Sequence, residues 1–168
     1  MIRKFVETDL EQVYRVVNEA AIAYKGVIPA DRWHEPYMPM DELKSEIASG
    51  VEFHLWDEGG EILAVMGIQD RGEVTLIRHA YTRTASQKRG LGTRLLARLV
   101  PLATGPILIG TWRDATWAVR FYQNNGFVLT PEAEKNALLA RYWSIPERQV
   151  ETSVVLADSR YRALHPLA

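Results

Sequence analysis

The sequence contains no cysteine among its 168 residues. This absence excludes disulfide bonds, thiol nucleophiles and cysteine-ligated zinc, and it is typical of a protein in a reducing compartment. The four histidines are scattered without the paired spacing of metal ligands, so we expect no metal site. Any catalysis must use other side chains.

Long apolar runs and a strong net charge are also missing. No apolar run approaches the roughly 20 residues that span a bilayer, and the opening "MIRKFVETDL" lacks the apolar centre of a secretory signal. We therefore expect a cytoplasmic protein without a membrane partner.

The formal net charge of -1 gives no reason to expect nucleic acid as a partner. The length and an ordinary composition, 47% hydrophobic and 24% charged, predict one domain over residues 1–168.

Hydrophobic periodicity in the first half predicts one strand, two helices and then three strands. The opening strand is "MIRKFV", and the first helix begins at Thr8 or Asp9 and ends near Gly26. A second helix covers "MDELKSEIASG". The strands "VEFHLWD" and "EILAVMGIQD" form a hairpin, and "EVTLIRHAYT" follows as the third.

The second half predicts alternating helices and strands. A helix runs from Gly90 to about Ala103, and "PILIGTW" is apolar throughout, as in a parallel strand buried on both faces. Asp114 caps the helix "ATWAVRFYQNN", Trp117 faces the core, and Gly126 ends the helix. The strand "FVLT", the helix "PEAEKNALLARYW", the strand "QVETSVVLAD" and a polar tail complete the chain.

The turn "SQKRGLGTR" at residues 86–94 is the clearest functional signal. Five cations and no acid lie between Arg83 and Arg98, and a bare turn lets an anion approach the free N–H groups of the helix that follows. The alternative is a structural turn that needs positive φ. Two nucleotide-binding motifs are excluded. The nucleoside-triphosphate loop needs a Gly-Lys-Ser/Thr triplet, which is missing here, and the dinucleotide fingerprint needs glycine or alanine where this sequence has Leu95.

Two motifs together resemble a known family. "QKRGLG" before an amphipathic helix resembles the acyl-coenzyme A (CoA) binding motif of the GNAT superfamily of N-acetyltransferases, and "WAVRFYQNNGF" is similar to its second cofactor motif. The predicted element order agrees over roughly residues 2–157. The resemblance implies an α/β (α+β) fold with a mixed, mostly antiparallel sheet of about seven strands, flanked by helices. A splayed parallel strand pair then lies at the cofactor site.

The resemblance also implies a set of cofactor contacts for acetyl-CoA. The pantetheine arm binds backbone groups at the end of the third strand of the meander, and the pyrophosphate binds mainly backbone N–H groups of the glycine turn. The residues concerned are Tyr81, Thr82, Arg83, Gln87, Lys88, Arg89, Gly90, Leu91, Gly92, Thr93 and the "FY" tyrosine, Tyr122.

The implied chemistry is acetyl transfer from a thioester to an amine. A backbone N–H near Tyr81 and Thr82 can polarise the carbonyl, and the resemblance gives Tyr122 the role of protonating the leaving thiolate. The alternative for Tyr122 is a packed aromatic side chain.

The catalytic base is left open by the sequence. Histidine suits proton exchange near neutral pH, and period-two alternation puts His79 on the same strand face as Tyr81. Glu73 can act through water, and His54 and Glu52 are weaker candidates. Some members of the family use water alone, so no base is a further option.

The acceptor is expected to be a primary amine, either a small molecule or a protein amino group, attacked directly in a ternary complex. Four residues between the first two helices can stack on it: Tyr24, Trp33, His34 and Tyr37. The alternative for these residues is a surface loop anchored by aromatics. A non-catalytic acyl-CoA binding or sensing module is the second functional hypothesis, and a nucleic-acid-binding protein is the third. A homodimer that pairs through the strand "TSVVLA" is also open.

Overall fold

The computed structural model describes residues 1–167. The strands are β1 (Ile2–Lys4), β2 (Glu52–Glu58), β3 (Glu61–Asp70), β4 (Thr75–Thr82), β5 (Ile107–Trp112), β6 (Val128–Leu129) and β7 (Ser153–Ala157). The helices are α1 (Leu10–Ala21), α2 (Met40–Ala48), α3 (Leu91–Leu99), α4 (Thr116–Asn124), α5 (Glu132–Tyr142), α6 (Glu147–Glu151) and α7 (Ser159–Leu164). Within residues 1–167, no helix has the length and apolar character needed to cross a membrane.

The seven strands form one sheet in the order β1-β2-β3-β4-β5-β7-β6. Antiparallel pairing joins β1 to β2, β2 to β3, β5 to β7 and β6 to β7, while β4 and β5 are the parallel pair. At its start β4 is tied by the Thr75 N–H, which donates to the Pro106 C=O at 2.8 Å. The predicted fold class is therefore confirmed.

The contacts of the chain divide it into two compact units. The first unit comprises Met1–Ala23, His34–Asp70 and Ile77–Ala103, and the second comprises Tyr24–Trp33, Arg71–Leu76 and the chain from Thr104 onward. Each unit has an apolar cluster of its own. One domain over the whole chain stays a prediction.

The core of the first unit lies where α1 and α2 cover β2 and β3. Three valines of α1, at positions 13, 16 and 17, follow the spacing of one helix face and are almost fully buried. They pack with Met38, Leu43, Val51, Phe53, Leu55, Ile62 and Val65. The Asn18 side chain pairs with both backbone polar groups of Met38, at 2.8 and 2.9 Å, and so fixes the segment before α2 against α1.

The core of the second unit combines β5, β7, α5 and α7. Its buried members are Val74, Leu76, Leu108, Leu138, Leu139, Tyr142, Val155, Ala157 and Tyr161. Lys135 is buried beside them, and its Nζ donates to the Val150 C=O at 2.8 Å. Within the chain, β7 pairs with β5 along its length and with β6 at Leu156 and Ala157. A homodimer through the strand "TSVVLA" stays a prediction.

Two predicted elements differ in the structure. Residues 149–151, predicted as strand, lie in α6, because Pro146 precedes a turn whose first residue is acidic, which is a helix start. The α3 helix ends at Leu99 and a 3₁₀ turn follows, since Pro101 has no N–H to continue the ladder.

The start of α4 and the orientation of Trp117 also need correction. Ala115 is the N-cap of α4, and Asp114 makes no cap. Trp117, predicted to face the core, is 45% exposed because the buried face of α4 passes through Tyr122. Gly126 does take the left-handed conformation, with φ of 90°.

Candidate active site

The glycine turn in the first unit leads from the end of β4 into α3. Lys88 and Gly90 have φ of 62° and 75°, and such left-handed residues turn successive N–H groups towards one side, which makes an anion-binding concavity. In the first backbone hydrogen bond of α3, the Arg94 N–H donates to the Gly90 C=O at 3.1 Å. The N–H groups of residues 91–93 therefore have no acceptor within the helix. This arrangement fits a pyrophosphate.

Most cations around this turn already have partners in the first unit. The pairs are Arg83 with Glu19 (3.1 Å) and Glu61, Arg89 with Glu58 (2.8 Å), and Arg94 over the ring of Trp56 (5.5 Å). The charge run in the sequence therefore overstates the positive charge offered to a ligand. The backbone N–H groups are the stronger feature of the turn.

Arg83 is fixed at the end of β4 by its backbone as well. Its N–H donates to the Leu63 C=O at 2.9 Å, and its C=O accepts from the Ser86 N–H at 2.8 Å. The Gln87 side chain donates to the Thr82 C=O at 3.3 Å, and Tyr81 packs against the core of the first unit. Arg83 thus anchors the start of the turn, and its contact with a pantetheine arm stays a prediction.

Strand β4 is irregular at Arg78 and His79, a feature we call the His79 bulge. His79 has φ of 54°, which is rare for a residue other than glycine. Consecutive residues of a regular strand point to opposite faces, yet both Arg78 and His79 reach the carboxylate of Glu46. A local reversal of this kind re-aims side chains, and such strain concentrates at functional sites.

The Glu46 carboxylate is the centre of this cluster. Its Oε2 lies 2.7 Å from Nε2 of His79 and 3.1 Å from Nη1 of Arg78, and that Nη1 also donates to Gln69 at 3.1 Å. Burial alone would raise the pKa of Glu46, but the hydrogen bond from His79 and the charges of His79 and Arg78 leave it below its usual range. The His79 ring also lies 6.0 Å from the ring of Phe53, in the cluster that Tyr81 contacts.

Tyr122 lies in the second unit, on α4. Its side chain is buried and meets the rings of Phe121 and Phe127 edge-on, at 5.1 and 6.3 Å. Burial raises the pKa of the Tyr122 phenol above its ordinary value, so the group holds its proton at neutral pH. A proton donor needs this state.

The weaker base candidates have structural partners or are enclosed. Glu73 accepts from the Tyr142 hydroxyl at 2.6 Å and pairs with Arg141 at 2.5 Å. Glu52 pairs with Lys4 at 2.9 Å on the surface. His54 is buried in β2, its Nε2 has no hydrogen-bond partner, and burial chiefly lowers its pKa.

The predicted acceptor residues fall into two groups. Tyr24 belongs to the second unit with Trp33, and it stacks on the exposed Trp117 at 5.9 Å. His34 and Tyr37 belong to the first unit and stack on each other at 6.3 Å. Each group presents aromatic surface. Within residues 1–167, no group of three or more metal-ligating side chains could hold an ion.

The sequence did not single out Glu46 or Gly67, and it predicted a core position for Trp117. Glu46 lies 33 residues before His79, on a helix whose other acids, at positions 41 and 42, are exposed. Its position three residues after the apolar Leu43, close to the buried face of α2, was the one available signal. Gly67 shows no signal in the sequence beyond being a glycine within a strand.

Comparison with known proteins identifies the family of the chain. The family model described as an acetyltransferase (GNAT) domain matches residues 15–140. The chain therefore belongs to the GNAT acetyltransferase family, and its enzymatic class is N-acetyltransferase. A search of curated proteins finds no match.

Solved structures share the fold at low sequence identity. A PaiA N-acetyltransferase from Thermoplasma acidophilum, crystallised with coenzyme A, is 15% identical with a TM-score of 0.70, over 94% of this chain and 97% of that one. An acetyltransferase from Streptococcus agalactiae 2603 is 16% identical with a TM-score of 0.72, over 94% and 96%. The ribosomal-protein-S18-alanine N-acetyltransferase from Escherichia coli is 15% identical with a TM-score of 0.66, over 100% and 98%.

Proposed function

We propose that this protein transfers the acetyl group of acetyl-CoA to a primary amine, by direct attack in a ternary complex. The observation that carries the proposal is the glycine turn, with left-handed residues at Lys88 and Gly90 and three N–H groups without acceptors in α3. Family membership supports it, and one structure of the same fold contains coenzyme A.

The backbone of residues 87–93 binds the pyrophosphate, and backbone groups of Tyr81 and Thr82 bind the pantetheine arm. The amine nitrogen attacks the thioester carbon, and the bond from that carbon to sulfur breaks. The neutral phenol of Tyr122 gives its proton to the departing thiolate, and His79 takes the proton that the amine loses. Exchange with water then restores both groups.

The acceptor is a small amine or a protein amino group that stacks on the aromatic side chains at positions 24, 33, 34 and 37. A neighbour of the same fold acts on the alanine of a ribosomal protein, so alanine-initiated peptides belong in the screen beside small diamines and amino acids. The proposal includes a cytoplasmic location and action without metal, nucleic acid or membrane.

Calorimetric titration with acetyl-CoA, with NAD and ATP as controls, tests the proposal first. Gly90→Glu should abolish acetyl-CoA binding, because it adds bulk and negative charge at the N–H groups that hold the pyrophosphate. Gly72→Glu is the matched control, since Gly72 has φ of 78° against 75° for Gly90 and both have open space around the missing Cβ. Equal loss in both variants would refute the assignment of the turn.

Thiol release with the amine panel then tests catalysis. Turnover with a primary amine supports transfer. Tight acetyl-CoA binding without turnover on any amine would favour the binding or sensing module instead, and absence of binding would refute both.

A further inference from the structure

The contact between α2 and the His79 bulge joins a carboxylate to an imidazole. The Glu46 side chain is 20% exposed and that of His79 is 15% exposed, so the 2.7 Å contact is largely shielded from water. A hydrogen bond of this length to a charged acceptor is among the stronger kinds in proteins. The pair is therefore a defined geometric constraint on the His79 ring.

We propose that Glu46 is a positioning residue for His79. Its carboxylate accepts a hydrogen bond from Nε2–H, which holds the ring in one tautomer. Nδ1 then carries a free lone pair and is the atom that takes the proton from the acceptor amine. This inference rests on the proposed function, in which His79 is the base. It assigns a role to Glu46 and names the reacting nitrogen of His79.

The surroundings keep Glu46 in the acceptor state that this role needs. Arg78 contributes a positive charge at 3.1 Å, and Gln69 fixes the same guanidinium nitrogen. The charged groups that face His79 are Glu46 from α2 and Arg78 from the adjacent position on β4, while Phe53 of β2 supplies an apolar face. An ionised carboxylate accepts hydrogen bonds and donates none, so Nε2 must carry the hydrogen.

The backbone shows that the contact is more than an incidental ion pair. Arg78 alone could pair with Glu46 from a regular strand. Only the left-handed backbone at His79 brings the imidazole to the same carboxylate. A Cβ on Gly67 would lie 3.0 Å from the Arg78 C=O, so the neighbouring strand lacks a side chain where the bulge needs the space.

The proton step balances within this arrangement. The N–H bond of the amine breaks, an Nδ1–H bond forms, and the Nε2–H stays with the ring. The imidazolium that results carries one positive charge beside the negative charge of Glu46. Glu46 thus stands to His79 as an orienting carboxylate stands to the histidine in other sites, where the hydrogen bond at one ring nitrogen sets the state of the other.

Nitrogen-15 NMR of the histidine rings tests the pairing without any substrate. In the acetyl-CoA-free protein near pH 8, His79, assigned by loss of its signal in His79→Gln, should show hydrogen on Nε2 and a bare Nδ1. Glu46→Gln should keep that tautomer, because the amide oxygen also accepts. Glu46→Ala should give a mixture, and Glu42→Ala, one turn earlier on α2 and exposed, should change nothing.

Kinetics with the best amine of the thiol-release panel supply the second readout. Glu46→Ala should lower kcat by about 10-fold or more with KM for acetyl-CoA unchanged, a part of the 10²–10⁴-fold typical of general acid–base catalysis. Glu46→Gln should recover most of kcat, a rescue that a purely structural role would not give.

Two results would overturn the inference. One is hydrogen on Nδ1 in the unmodified protein, and the other is a wild-type kcat in Glu46→Ala. If the whole panel shows no turnover, the proposed function fails together with the catalytic role of His79, whereas the NMR result still decides whether Glu46 fixes the tautomer.

Discussion

Gly67→Ala offers a direct test of how closely β3 packs against the His79 bulge. The added Cβ would lie 2.7 Å from Cγ1 of Val51 and 3.0 Å from the backbone oxygen of Arg78, against about 3.5–4.0 Å for an ordinary contact between carbon atoms. Val51 is buried and β-branched, so it cannot turn aside freely. The oxygen of Arg78 belongs to the backbone and moves only with the bulge.

The magnitude follows from two opposing contributions to the free energy of unfolding. Overpacking costs about 1–3 kcal/mol, and replacing a strand glycine by alanine returns about 0.5–1 kcal/mol. We expect a net loss of about 1–2 kcal/mol, which lowers Tm by about 2–8 °C in a chain of this size. Urea unfolding and a thermal melt measure both quantities.

A double-mutant cycle separates the two contacts. Val51→Ala removes the nearer atom, so the double variant should be more stable than the sum of the single effects predicts, by about 1 kcal/mol. The remaining penalty reports the contact with Arg78. If the Gly67→Ala variant is as stable as the unmodified protein, the inference that β3 and β4 approach closely at Gly67 and Arg78 is wrong.

Two further predictions concern Tyr122 and His54. Tyr122→Phe should leave acetyl-CoA binding by calorimetry intact and lower kcat by about 10²-fold, while unchanged turnover would remove Tyr122 from the acid role. Because burial lowers the pKa of His54 in the folded chain, the unfolded chain binds the proton more readily. Stability should therefore be full above about pH 6.5 and fall as the pH drops below that unfolded value. His54→Leu should flatten this dependence in urea unfolding at pH 7.5 and 5.5, and an unaltered dependence would count against His54.

Local signals in the sequence were enough to predict the elements that depend on them. The glycine turn, the amphipathic run of α3 and the apolar strand β5 each follow from a few neighbouring residues, and the structure contains all three. The strand predicted over residues 149–151 was wrong. The helix-start signal at Pro146 competes there with the run of strand-forming residues that follows directly. The prediction that Trp117 faces the core was wrong, because helical spacing alone does not show which of two aromatic faces of a helix is buried.

Contacts between distant segments account for what the sequence did not reveal. The acids that neutralise Arg83 and Arg89 come from α1 and from the β2–β3 hairpin, so a count of charges along the turn could not find them. Glu46 meets His79 only because β4 departs from regular alternation. A periodicity argument assumes a regular strand and therefore cannot predict a contact that a bulge creates.

Strand β4 connects the two features of the first unit on which the proposals depend. Thr82 lies three positions after His79 in the sequence, a distance of about 10 Å along a strand. Beyond Thr82, Arg83 is held by the Leu63 C=O and by two carboxylates, which anchors the start of the turn that leads to Gly90. Both ends of this short segment are therefore held by contacts with other elements. The proposed transfer, between a ligand bound by its phosphates and an amine beside His79, depends on the separation that these contacts set.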